Sequence, residues 1–388
     1  MSLEEEPDLQ ANLNAESVTA QPENGSSPLD RLGRPFRDLR ISITDRCQMR
    51  CTYCMPSEIF GPNHPFLPRR EILTYEEIDA VVTALLPLGL RKVRITGGEP
   101  LLRRNLDRLV SMLSSHGIEV ALTTNGLLLE KQAAKLAAAG LNRVTVSLDA
   151  LDPVIFESIT ETSGAKISDV LSGISASLDA GLAPVKVNAV IRRGVNESEI
   201  IRLVDRFHGT EVEVRFIEFM DVGSCNGWRL DEVVTAAEMR AILAAAGYQL
   251  KPRSEAYRGE VAKRWEHADG GGQVGFISSI SEPFCGDCTR QRLTADGHIF
   301  TCLFANQGVD LRPILRPNSK EEGAFSLSEN TPQLDRQLAG EIIDKLAHRL
   351  ESIWHNRTDN YSERRTEMTE PSGLKIALPR VEMSYIGG

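Results

Sequence analysis

The first 30 of the 388 residues contain no Lys, no Arg and no aromatic side chain. A mitochondrial presequence would be Arg-rich, and a secretory signal would open on basic residues where this chain reads Met1-Ser2-Leu3-Glu4-Glu5-Glu6. No apolar run approaches the roughly 20 residues of a spanning helix; the longest, around residues 133–141, is broken by Lys135. The expectation is a chain without a membrane span, in the cytoplasm. The leader, with Pro7, Pro22, Pro28 and a Gly25-Ser26-Ser27 run, is too poor in apolar surface to offset its ordering entropy, so residues 1–30 are expected to be disordered. It holds seven acids and leaves the rest of the chain at −3 of the total −10. That balance is no electrostatic footprint for nucleic acid. What remains is 41% apolar and 25% charged, enough for a large core in two or three domain-sized units.

Seven cysteines, an odd number, argue against a disulfide framework. They fall as Cys47, Cys51 and Cys54, then Cys225 alone, then Cys285, Cys288 and Cys302. Two triplets suggest two metal sites. Cys225 reads as a small buried apolar side chain.

Strand-like runs recur at 39–43, 91–96, 118–123, 142–148, 184–190 and 211–217. Helix-like stretches lie between them at 75–88, 104–116, 130–139, 167–180 and 197–208. Thr74-Tyr75-Glu76-Glu77 is a capping box, and Gly89, Gly117, Gly140 and Gly181 stand where helices end. Repeated strand–helix–strand units predict a parallel sheet. Parallel strands are normally apolar on both faces, but here each has one polar face. Arg40, Lys92, Arg94, Lys186 and Arg215 fall on those faces. A sheet curled into an open barrel would turn them into one wet cavity needing an anion. The alternative is a flat sheet with one solvated face.

The first triplet, Cys47-Gln48-Met49-Arg50-Cys51-Thr52-Tyr53-Cys54, directly follows the first strand. Barrel enzymes place their chemistry at that end of a strand. Three thiolates with no fourth ligand nearby fit a 4Fe-4S cluster with one open iron better than a closed zinc site. This loop, followed by Gly97-Gly98-Glu99-Pro100 after the second strand, resembles the radical S-adenosylmethionine (SAM) enzymes. The resemblance implies that SAM is chelated at the open iron and cleaved to a 5′-deoxyadenosyl radical that takes a substrate hydrogen.

The second triplet is ambiguous alone: CxxC with a distant third Cys is also half a zinc ribbon, and His298 is the nearest candidate fourth ligand. With Arg290 and Arg292 after it, it is similar to the GTP 3′,8-cyclase family of molybdenum-cofactor biosynthesis. The similarity runs over residues 33–388 and includes Asp45-Arg46-Cys47, Thr123-Thr124-Asn125-Gly126, Arg215-Phe216-Ile217-Glu218-Phe219-Met220 and Gly387-Gly388.

The resemblance implies two 4Fe-4S clusters, on Cys47, Cys51 and Cys54 and on Cys285, Cys288 and Cys302. It implies SAM contacts from Tyr53, Gly98, Ser147 and Met220. It implies GTP contacts from Arg40, Arg94, Thr123, Lys186, Arg290, Gln291 and Arg292, with Lys92 and Arg215 close by. Arg290, Arg292, Gly387 and Gly388 would assist the radical step, the glycines following an extended path into the cavity. Hydrogen abstraction at ribose C3′ and attack on guanine C8 would give a cyclised product for cyclic pyranopterin monophosphate synthase. An external electron donor would be needed, and the chain would act as a monomer or homodimer.

The expected fold class is α/β. An open, partial parallel βα barrel of about six strands spans 31–230, and a C-terminal region, 231–388, closes its open side. Two other readings stand beside the cyclase: a radical SAM enzyme acting on another substrate, such as a peptide, and a zinc-ribbon binding module. Gly270-Gly271-Gly272-Gln273-Val274-Gly275 matches GxGxxG but follows no strand, and it reads as a hairpin or loop. A GxxxxGK[ST] loop is missing, so side chains must hold any triphosphate.

Overall fold

The computed structural model describes residues 27–162, 164–255, 257–317, 333–365 and 381–387. Most of the acidic leader lies outside these residues. Its end does not: Leu29 bridges to Pro35 and Asp30 is buried, so the folded body starts before the expected boundary.

Six strands stand where the sequence places them. They are β1 (Asp38–Ser42), β2 (Lys92–Thr96), β3 (Glu119–Thr124), β4 (Arg143–Ser147), β5 (Val185–Ile191) and β6 (Val212–Glu218), paired in parallel in chain order. Between them run α1 (Tyr75–Leu85), α2 (Leu106–Ser114), α3 (Ala133–Ala138), α4 (Pro153–Thr160), α5 (Ile167–Asp179) and α6 (Glu199–Phe207). The α1 capping box forms, with Thr74 Oγ1 accepting from Glu77 N at 3.1 Å and Glu77 Oε2 from Thr74 N at 2.7 Å. The four helix-ending glycines all have positive φ. Helix α4 was not expected; its signal is Asp152, whose carboxylate caps it, followed by Pro153 in the first turn.

The sheet is larger than six strands. From the C-terminal region, β9 (Gln273–Ile277) adds in parallel to β6, and β10 (Arg290–Leu293) adds in parallel to β1. Antiparallel β8 (Lys263–His267) and β7 (Leu250–Pro252) extend one edge, and β11 (His298–Phe300) and β12 (Val309–Asp310) the other. The order is β12-β11-β10-β1-β2-β3-β4-β5-β6-β9-β8-β7. The added strands are two to five residues long. An Arg-Gln-Arg-Leu strand has no apolar period to read. The GxGxxG decoy does follow a strand, β8: residues 270–272 lie in the β8–β9 hairpin turn and 273–275 open β9, so a strand and not a helix comes after it.

Leu39, Ile41, Val93, Ile95, Val144, Val146, Val185 and Val187 are fully buried in one continuous core with the helices. Burying each such side chain contributes roughly 1.5–3 kcal/mol. After β6 the described residues add α7 (Ala236–Ala245), α8 (Arg312–Leu315) and α9 (Gln333–His355), the last packed on α1, besides a short helical turn at the tail.

One buried arginine joins the start of the chain to its end. Arg34, 0% exposed, pairs through Nε with Asp30 at 2.5 Å and donates to the carbonyls of Cys285 and Asp359, both at 2.9 Å. Trp354 Nε1 donates to Arg34 O at 3.1 Å, and its ring meets Phe36 edge-on at 5.3 Å. Removing one member of a buried pair strands the other charge, at about 3–5 kcal/mol. Arg34→Ala is therefore expected to lower unfolding free energy by about that amount in denaturant titrations. A change under about 0.5 kcal/mol, the usual surface range, would contradict this role.

Candidate active site

The first cysteine loop is held by backbone-directed side chains. Arg50 donates through Nη1 to Cys47 O and Met49 O, each at 2.8 Å, and through Nε to Phe60 O at 2.6 Å. Glu99 is 1% exposed and stitches the loops after β2 and β3. Its carboxylate accepts from Leu101 N at 2.9 Å, Thr124 Oγ1 at 2.8 Å and Asn125 N at 2.7 Å. Burial pushes Glu99 up to about 7. Asn125 then reaches Cys47 Sγ at 3.7 Å. Gly98 lies so close to the loop after β1 that a Cβ would fall 2.3 Å from Arg46 O, so this position requires glycine. Tyr53 donates to Asp149 Oδ2 at 2.7 Å, and burial pushes Asp149 up to about 6. Ser147 ends β4 beside Asn188. Tyr53, Gly98 and Ser147 thus stand at the strands' C-terminal ends, outside the cavity described next; Met220 lines it.

A cavity of about 380 Å³ opens on the polar faces of the strands. Arg40, Lys92, Arg94, Lys186 and Arg215 line it, as the strand alternation predicts, and so do Thr123, Arg290 and Arg292, which the resemblance implied. Some of this charge is neutralised internally. Lys92 meets Glu119 at 3.0 Å, while Glu213 takes Arg215 at 2.6 Å and Lys186 at 3.7 Å. Arg94 donates to the hydroxyls of Thr123 at 3.1 Å and Thr145 at 3.0 Å. Arg40, Arg94, Arg290 and Arg292 have no carboxylate partner within salt-bridge distance among the described residues. Burial and neighbouring arginines lower Arg40, bring Arg94 and Arg292 down to about 10, Lys92 to about 8 and Lys186 to about 7. Gln291 is a correction. It pairs with Leu39 in register, so its fully buried side chain points to the opposite face, away from the cavity.

The second triplet lines the same cavity, whereas the first does not. Arg357 Nη1 donates to Cys288 O at 2.8 Å. Burial pushes the Cys288 thiol up, but Arg290 and Arg357 outweigh it and bring it down to about 6. Burial and Asp359 push Cys302 up to about 12. Around a single tetrahedral zinc, thiolate sulfurs would stand about 4 Å apart, given zinc–sulfur bonds of about 2.3 Å. Neither triplet brings its three sulfurs within 4.8 Å of one another. Three thiolates without a fourth protein ligand are the donor set of a 4Fe-4S cluster with one open iron. His298 does not line the cavity with the second triplet; its Nδ1 is paired with Asp296 at 3.2 Å.

Sequence reasoning missed how the tail is anchored. Residues Met383–Ile386 form one helical turn rather than an extended segment. Tyr385 donates to Asp296 at 2.7 Å, Ile386 is 0% exposed, and Arg292 donates to Gly387 O. A Cβ on Gly387 would fall 2.5 Å from Thr96 Cγ2, and φ there is +71°. Gly388 lies outside the described residues. Cys225 is also a correction. It is partly buried, donates to Glu382 Oε2 at 2.8 Å and lies beside Cys54 O, because Glu382 gathers the 223–225 loop under the tail. Residues so far apart in the chain left no local signal.

Comparison with known proteins agrees with this geometry. Residues 41–207 match the radical SAM superfamily and 212–363 match the Molybdenum Cofactor Synthesis C family. A GTP 3′,8-cyclase of Acidothermus cellulolyticus is 47% identical over 92% of this chain and 98% of its own. One from Staphylococcus epidermidis is 44% identical over the same shares. In fold alone, Streptococcus suis SuiB bound to the precursor peptide SuiA is similar, with TM-score 0.53 and 17% identity over 86% of this chain and 68% of that one. Identity of this extent, with both cysteine triplets in place, shows that the chain belongs to the GTP 3′,8-cyclase family of radical SAM enzymes.

Proposed function

We propose that the protein converts GTP to (8S)-3′,8-cyclo-7,8-dihydroguanosine 5′-triphosphate, the first step of molybdenum-cofactor biosynthesis. The observation that carries this reading is the cavity, where the second cysteine triplet meets four arginines that have no carboxylate partner among the described residues. Its volume of about 380 Å³ falls in the small-molecule range, which suits a nucleotide better than a peptide. Strands of both regions reach this one cavity, as in a curled, partial barrel over 31–230 whose open side the 231–388 region completes.

The residues divide the work by position. Cys47, Cys51 and Cys54 hold one 4Fe-4S cluster, with SAM beside Tyr53, Gly98, Ser147 and Met220. Cys285, Cys288 and Cys302 hold the other, towards the guanine. When bound, the first cluster and SAM supply the radical that takes hydrogen from ribose C3′. Arg40, Arg94, Arg290 and Arg292 bind the triphosphate by charge-assisted hydrogen bonds, with Lys92, Lys186, Arg215 and Thr123 around it. Cys288, already deprotonated near neutral pH, is ready to ligate. Arg292 donates to the Gly387 carbonyl, which brings the described end of the tail towards the reacting nucleotide, and Gly387 and Gly388 assist the radical step. We place the enzyme in the cytoplasm, as a monomer or homodimer fed by an external electron donor. Its product passes to cyclic pyranopterin monophosphate synthase. Among the described residues no helix is long and apolar enough to cross a membrane.

Arg290→Ala and Arg292→Ala are each expected to weaken GTP binding roughly 10- to 150-fold, the equivalent of one charge-assisted hydrogen bond of about 1.5–3 kcal/mol. SAM affinity should stay within about twofold on the same scale. Equilibrium binding on the reconstituted enzyme reads both, and unchanged GTP affinity in both variants would contradict the assignment.

The depressed lysines give a pH dependence. In the free protein Lys92 near 8 and Lys186 near 7 lose protons as pH rises through those values. A bound polyanion favours the charged ammonium. GTP binding should therefore take up protons, and affinity should fall as pH rises from about 7 to about 9. Calorimetry in buffers of different ionisation heat measures the uptake; proton release or none would contradict it.

A further inference from the structure

Far from the cysteines, the α6–β6 turn meets the β8–β9 hairpin. Two backbone bonds shape the junction: Gly209 N donates to Gly271 O at 2.9 Å, and His267 N to Gly272 O at 3.0 Å. They bring together side chains from separate parts of the chain. One ligand atom each from His208, His267 and Asp269 lie within 4.8 Å of one another, the one such group among the described residues. The junction is at the N-terminal ends of β6 and β9, whereas the first cysteine loop follows the C-terminal end of β1.

From this geometry we infer that His208, His267 and Asp269 form a binding site for a divalent transition-metal ion, with zinc as the expected occupant. Two imidazoles and one carboxylate suit zinc and its neighbours; calcium and magnesium prefer all-oxygen shells. The decisive residue is His267. It is 6% exposed, yet neither ring nitrogen has a hydrogen bond among the described residues. Neither nitrogen is sealed from solvent, so each can reach a water or a metal ion. Asp269 accepts from Gly271 N at 2.9 Å through Oδ1, which orients the carboxylate, and its Oδ2 stands 3.1 Å from His208 Nε2. A Cβ on Gly271 would fall 1.9 Å from His208 Nε2, so glycine is what lets the hairpin close over the ring. Tyr248 flanks both histidines, at 5.4 and 5.9 Å between ring centroids. Asp269 is exposed, which leaves room for a water as fourth ligand. Such an ion would staple the hairpin to the α6–β6 turn and take no part in the radical chemistry.

The test uses the anaerobically reconstituted enzyme, in which iron occupies the cysteines. Zinc chloride is titrated calorimetrically, and iron and zinc per chain are counted after dialysis. The expected result is one zinc per chain with iron unchanged. Binding should be at least about tenfold weaker in His208→Gln and in Asp269→Asn. Zinc should raise the thermal midpoint of the wild type and not of these variants. His208 is partly exposed and Asp269 exposed, so variants at these two positions, rather than at buried His267, carry the test. No zinc retained by the wild type, or equal retention in both variants, would overturn the site and leave a hydrogen-bonded His–Asp pair.

Discussion

Arg40, Arg94, Arg290 and Arg292 face one buried cavity and find no carboxylate among the described residues. Like charges gathered away from water repel one another and lose hydration. The lowered basicity of Arg40, Arg94 and Arg292 records that cost. The fold carries the cost on the rigid strands β1, β2 and β10, whose opposite faces are locked into the helical core. Glu119 and Glu213 neutralise the neighbouring lysines and Arg215, so the uncompensated charge is concentrated in the four arginines. A polyanion that enters is met by donors already in position.

The two cysteine triplets occupy different ends of this arrangement. The first sits above the strand ends, steadied by Arg50, Glu99 and Asn125. The second opens on the cavity and is tied through backbone carbonyls to Arg34 and Arg357. Those two arginines belong to the beginning and the end of the folded body. The auxiliary site is therefore assembled only when both ends of the chain are packed. The tail adds a further contact through Arg292, which faces the cavity and also holds the Gly387 carbonyl.

Much of this was legible in the sequence, because it was periodic or local. The strand alternation placed Arg40, Lys92, Arg94, Lys186 and Arg215 on the cavity face, and the triplets and glycine-rich loop announced their chemistry. What escaped had no period. β10 is too short and polar to read as a strand, although once it is paired with β1 the same alternation turns Gln291 away. Glu382 with Cys225, Asp149 with Tyr53, and Arg34 with Cys285 join residues close in space and distant in the chain. The tail turned helical because its side chains are captured from both sides, by Asp296 and by the 223–225 loop, a tertiary constraint that overrides local pattern.

The central claim is that GTP lies in this cavity with its ribose exposed to the SAM-derived radical. The direct measurement is a turnover of the reconstituted enzyme with GTP deuterated at ribose C3′, SAM and a strong reductant, followed by mass analysis of both products. The account predicts deuterium in 5′-deoxyadenosine and a cyclised nucleotide that has lost it. Unlabelled 5′-deoxyadenosine beside intact, fully deuterated GTP would contradict it.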